Sequence, residues 1–117
     1  MSEPIQCIVS YPAKTAAGAA ARFDREYYLN VHMPNTEKAW GPHGMKSWSA
    51  AEFPAEHPLD GSDMPFVVQT TVTFESEEKL RAAFLAPGTK ETTTNSDKFT
   101  DVKPVIWVGK VAGSKTL

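Results

Sequence analysis

A single cysteine, Cys7, stands in a chain of 117 residues. No disulfide can form within it, and a reducing compartment, the cytosol by default, is the expected location. Blocks of Lys or Arg are missing as well: 12 basic residues face 14 acidic ones, for a formal net charge of −2. Nucleic acid and anionic membrane both require a concentrated basic surface, so neither is an expected partner. No apolar run approaches the roughly 18 residues of a membrane span. The opening Met1-Ser2-Glu3-Pro4-Ile5 lacks the basic start and long apolar stretch of a secretion signal. Repeats and linkers are absent, and the length suits one domain over residues 1–117.

The signals of metal and cofactor chemistry are equally sparse. The three histidines, His32, His43 and His57, share no helix or strand spacing typical of ligands, so no metal is expected. One helical histidine without a partner set gives little support for haem. Gly41-Pro42-His43-Gly44 lacks the spacing of a phosphate loop or dinucleotide fingerprint, and no cofactor is expected. Cys7 lies mid-strand, with no helix N-terminus to depress its pKa and make it a nucleophile.

What is present is an alternation of strand and helix patterns. Residues 4–12 predict a first strand, with Ile5, Cys7, Val9 and Tyr11 on one face and Gln6, Ile8 and Ser10 on the other. The alanine-rich stretch 13–21 offers no bulky side chain to bury and reads as a loop. Asp24 is a good N-cap for a helix carrying Tyr27, Tyr28, Val31 and His32 along one side. Pro34 is expected to end or kink that helix, with another turn or two to Trp40. Residues 45–53 and 66–74 predict two strands joined by a proline-rich loop. Ser76 caps a second helix whose buried stripe is expected at Leu80, Phe84 and Leu85, ended by Pro87-Gly88. Residues 89–101 read as irregular and 104–111 as the last strand.

Strand, helix, strand, strand, helix, strand is the split βαβ order of an α+β, ferredoxin-like βαββαβ domain. Right-handed crossovers place both helices on one face of a four-stranded antiparallel sheet. Apolar residues fall on both faces of several strands, which points to a second subunit covering the open one.

The segment Phe23-Asp24-Arg25-Glu26-Tyr27-Tyr28-Leu29-Asn30-Val31-His32-Met33-Pro34 closely resembles the signature of the EthD family, first named for ethyl tert-butyl ether degradation. Trp40-Gly41-Pro42 with Gly44, the strand ending at Phe74, and Phe99-Thr100-Asp101 before Pro104-Val105 fit the same family. The resemblance implies a dimeric α/β barrel, in which two four-stranded sheets face one another with the helices outside. It implies no single activity: bacterial members accompany oxidative degradation pathways, and some fungal relatives act on polyketides as cofactor-free decarboxylases or dehydratases. The alanine-rich loop before Phe23 and the threonines at 92–94 depart from the pattern and bear on pocket size.

His32 is the foremost candidate for chemistry, because an imidazole exchanges protons near neutral pH. Tyr28, four residues earlier, shares its helical face and is placed to orient the ring or hold an oxyanion. The alternative is a structural His32 that caps the helix through a backbone bond. Tyr11, Tyr27, Trp48 and Trp107 are candidates to line an apolar pocket, with core packing as their plainer role. Two functions fit. One is a cofactor-independent enzyme (lyase or oxidoreductase type) acting on a small hydrophobic carbonyl or aromatic compound, with His32 as acid/base. The other is a non-catalytic carrier of a hydrophobic pathway intermediate.

Overall fold

The computed structural model of the chain describes residues 4–86, 89 and 96–117. Four strands, β1 (Ile5–Pro12), β2 (Met45–Glu52), β3 (Phe66–Phe74) and β4 (Val105–Lys110), form one antiparallel sheet in the order β2-β3-β1-β4. This is the ferredoxin-like α+β fold. The pairing of β1 with β3 sets Ile5 opposite Phe74, Cys7 opposite Val72 and Tyr11 opposite Val68. Alternation in both strands therefore sends these six side chains to one face, where all are buried.

The first helix opens at Asp24, whose carboxylate accepts the Tyr27 N–H at 3.1 Å. It runs as an α-helical turn, Arg25–Tyr27, a wide π-helical turn, Tyr28–His32, and an α-helical segment, Met33–Trp40. Of the two outcomes expected at Pro34, an end or a kink, the end does not occur, and the helix runs on to Trp40. Proline has no N–H for the carbonyl four residues back, and its ring crowds that carbonyl in a regular helix. The π turn, closed by Met33 N–H on the Tyr28 carbonyl, widens the backbone just ahead of the ring and lets the helix pass through. It also shifts the phase of the helix. The buried residues are Tyr28, Met33, Thr36 and Trp40, and the first gap, five residues long, spans the wide turn. Val31, expected on the buried side, is instead exposed.

The second helix, Glu77–Leu85, is capped by Ser76, whose hydroxyl accepts the Lys79 N–H at 3.2 Å. Its buried residues are Leu80 and Ala83, whereas Phe84 is 40% and Leu85 86% exposed. The expected stripe is corrected by one residue, because the small Ala83 lets the backbone sit close to the sheet. Phe84 is left at the margin against Trp40, with ring centroids 5.3 Å apart. Pro87-Gly88 and 92–94 lie outside the described residues. The alanine-rich stretch is a loop closed by a bridge between Lys14 and Ala20, not a helix. Gly44, at φ +89°, turns the chain from the first helix into β2, a conformation that favours glycine.

Both helices cover the same sheet face and divide its core in two. Ile5, Cys7, Val72, Phe74, Trp40, Leu80 and Ala83 form one cluster, while Tyr11, Tyr28, Met33, Val68 and Phe99 form the other. The opposite face carries no helix. Register with β1 and β3 assigns it Ile8, Val67, Thr71, Val105 and Trp107. Among the described residues, no helix is long and apolar enough to cross a membrane.

Candidate functional site

A cavity of about 360 Å³ opens between the first helix and the β3-β1-β4 side of the sheet. The alternation of β1 delivers Tyr11 to it and that of β3 delivers Thr70, while the π turn delivers Tyr28 and His32. Residues ahead of β4 close the side, including Lys103 and Pro104. The Tyr28 and Thr70 hydroxyls, both buried, are hydrogen-bonded at 2.6 Å. Tyr11 meets Tyr28 edge-on, with centroids 5.6 Å apart.

His32 stacks on Tyr28, with centroids 5.2 Å apart and planes inclined by 18°. Phe99 contacts both rings, with centroids 4.6 Å from His32 and 5.0 Å from Tyr28. Phe99 is anchored in turn, since its carbonyl accepts the Asp24 N–H at 2.7 Å and the adjoining Thr100 bridges to Phe23. The imidazole, Tyr28 and Phe99 thus form a compact cluster of three rings. Neither of its nitrogens makes a protein hydrogen bond among the described residues, and the helical contact at this position is the His32 backbone carbonyl accepting the Thr36 hydroxyl at 3.0 Å.

Burial sets the electrostatics. It lowers the His32 pKa to about 4, so the ring is neutral at neutral pH. Burial, reinforced by the neighbouring Tyr28, pushes the Tyr11 phenol up. Tyr28 is also raised by burial, against the opposing hydrogen bonds from Thr70 and Tyr11. Both phenols therefore stay protonated and able to donate. Cys7, buried mid-strand in the other half of the core, is pushed up to about 11 by burial, which suppresses its thiolate.

Of the candidates named from sequence, Tyr11, Tyr28 and His32 are brought together around this cavity, and three are not. Tyr27 stacks on Phe99 at 6.4 Å, behind the lining. Trp48 donates its indole N–H to Glu37 at 2.6 Å, toward the β2 edge. Trp107, 60% exposed, lies on the open face of the sheet. Thr70 and Lys103 were not among the candidates, and Phe99 entered only through the family resemblance. Alternation along β3 carried a signal for Thr70; Phe99 and Lys103 flank the last strand, where no periodicity marks them. No cluster of three or more metal-ligating side chains occurs among the described residues.

Residues 16–103 match the EthD domain profile. The chain belongs to the EthD family. The matched span includes Tyr28, His32, Thr70, Phe99 and Lys103, and leaves Tyr11 outside it. Among solved structures, this EthD chain is similar to an EthD-like protein from Ralstonia eutropha JMP134, with 24% identity, a TM-score of 0.82, and coverage of 99% of this chain and 98% of that one. It also resembles a hydroxynitrile lyase from Passiflora edulis, with 18% identity, a TM-score of 0.63, and 99% and 100% coverage. A dimeric protein of unknown function and ferredoxin-like fold from Bacteroides fragilis follows at 9% identity, a TM-score of 0.52, and 92% and 96% coverage. At these identities the likeness establishes the shared fold. No curated protein matches the sequence.

Proposed function

We propose that this EthD protein binds a small, mostly apolar carbonyl or aromatic compound in the His32 cavity and moves a proton on it without a cofactor. One observation carries the reading: a neutral imidazole lines an apolar cavity, its nitrogens without a hydrogen-bond partner among the described residues, beside a protonated tyrosine hydroxyl. In the step envisaged, the His32 lone pair takes a proton from the carbon next to the carbonyl. The C–H electrons form the enolate, and the Tyr28 O–H donates to the developing oxyanion. The imidazolium returns its proton to carbon or to a leaving hydroxide, which covers isomerisation and dehydration. A base of low pKa in the empty site gains strength as negative charge develops beside it.

The test is hydrogen–deuterium exchange at the methyl group of 2-acetylnaphthalene in D₂O, followed by NMR. Wild-type protein is expected to accelerate exchange, His32→Ala to lose about 10²–10⁴ of that rate, and Tyr28→Phe to lose less. The low basicity of the empty-site imidazole favours one second reading, a carrier that holds such a compound unchanged. Ketone binding without accelerated exchange would establish the carrier and end the enzyme reading.

The assembly proposed is a homodimer in the cytosol, formed through the open sheet face. Ile8, Val67, Val105 and Trp107 on that face support it, as does the dimeric neighbour of the same fold. About 1,600 Å² or more of total buried surface is expected. Val67→Asp should split the dimer, and light scattering that returned a 12.8 kDa particle for the wild type at micromolar concentration would reject it.

A further inference from the structure

The described residues lining the cavity carry one formal charge between them. With His32 neutral, that charge is the ammonium of Lys103, and no carboxylate is among the described lining residues. Lys103 is exposed and makes no ion pair among the described residues. Its acidic neighbour in sequence, Asp101, is engaged elsewhere, accepting the Arg22 N–H at 2.8 Å. In a chain of net charge −2, an unpaired cation at the mouth of an otherwise uncharged apolar cavity makes a local site for negative charge.

We infer that the ligand is an amphipathic monoanion: an apolar body seated on Val9, Met33, Val72 and Ile106, a carboxylate or similar anion at Lys103, and a carbonyl or hydroxyl at the Tyr28–Thr70 pair. This rests on the cavity being the binding site, and it adds the charge and the polarity of the ligand. The two polar ends come from different elements. Thr70 is on β3 and Lys103 precedes β4, and β1 lies between those strands. Two strand spacings amount to about 10 Å, so a rigid bicyclic acid is long enough to span them. Apolar walls exclude water from the body of the ligand, while the rim leaves the ammonium hydrated, so the anion gains attraction without full desolvation of either charge. Lys103 is thereby a specificity-determining residue that takes no part in proton transfer.

Three probes of one shape separate the possibilities: 2-naphthoate, 2-acetylnaphthalene and 2-(aminomethyl)naphthalene, anionic, neutral and cationic at pH 7.5, each titrated calorimetrically. The naphthoate is expected to bind tightest, roughly five-fold above the ketone as befits an ion pair at a solvated rim, and the ammonium weakest. Raising the salt to molar levels should shrink that preference. Lys103→Gln should bring naphthoate down to the ketone, and Lys103→Glu should invert the order of naphthoate and ammonium. Equal binding of naphthoate and ketone by the wild type, or an anion preference that survives in Lys103→Gln, overturns this inference and leaves the cavity reading standing. If none of the three binds, the cavity reading fails and this inference with it.

Discussion

The two halves of the helix-covered core are built from the same sheet face, yet they differ in kind. Under the second helix, Ile5, Phe74, Leu80 and Ala83 close into an apolar cluster, and Val72 and Trp40 form its boundary with the cavity. The indole N–H of Trp40 is satisfied by Thr89 at 2.7 Å. Under the first helix, the layer is aromatic and hydroxylated. Tyr11, Tyr28 and Phe99 meet at edges and tilts, Thr70 brings a buried hydroxyl, and a cavity remains. Close packing stabilises, whereas a buried hydroxyl pair and an open volume cost stability that a closed apolar core would have supplied. The contrast separates a half that holds the fold from a half kept open for a ligand.

That contrast is broken most severely by Phe74→Ala. A fully buried ring is deleted from the closed half, and the expected loss is about 3–5 kcal/mol of unfolding free energy, read from the urea midpoint. A loss below 1 kcal/mol would mean that the closed half is not tightly packed.

In the open half, the sensitive variable is pH. The folded pKa of His32, about 4, lies below the unfolded value near 6.5, so between them the unfolded chain binds the extra proton. Stability is therefore complete above about pH 6.5 and falls as pH drops toward 4. The expected loss is about 1–2 kcal/mol, allowing for solvent screening at a half-buried ring. His32→Asn should flatten this slope between pH 7 and pH 5. Asp60 and Glu75, whose pKa values are lowered by Ser62 and Lys79 respectively, contribute only at lower pH. An equal slope in wild type and variant would remove His32 as its source.

Tyr28→Phe sharpens the comparison further. It deletes the 2.6 Å hydrogen bond to Thr70 but keeps the ring that stacks on His32, so about 1 kcal/mol of stability should go. Adding Thr70→Val should recover part of it, because the second substitution removes the hydroxyl left unpaired. If the double variant is no more stable than Tyr28→Phe, the pair is not an energetic unit. The smallest effect is expected at Leu85, 86% exposed: Leu85→Gln should stay within about 0.5 kcal/mol.

The strands were legible because alternation survives on both central strands. The grouping of Ile5, Cys7 and Tyr11, and of Val68, Val72 and Phe74, onto shared faces reads off a period of two. Which face lies under the helices does not, because Ile8 and Val67 make the other face apolar as well. Both N-caps, Asp24 and Ser76, were legible for the same local reason: their side chains satisfy backbone donors a few residues away. What escaped was set by longer-range geometry. A proline rule that holds for an α ladder left open whether the first helix ends or kinks at Pro34, since nothing local distinguishes a π turn from an α turn. The phase of the second helix turned on how closely Ala83 approaches the sheet. Phe99, remote in sequence from His32, touches it only because residues 96–100 fold back onto the helix start. Trp48 and Trp107, large residues on strands, drew attention by size, but it is register that decides which face and which edge they occupy.

The wide turn at Tyr28–His32 makes chain length itself a specified quantity. Deleting one residue from the five that separate Tyr28 and Pro34 would restore a regular helix. Everything before the deletion would then swing by about 100° and advance about 1.5 Å along the axis. Asp24 would leave its bond to Phe99, Tyr28 would leave Thr70, and the proline ring would press on a carbonyl with no wide turn to receive it. The interval from tyrosine to proline thus acts as a ruler, and a chain that keeps both residues but changes the count between them has a different site.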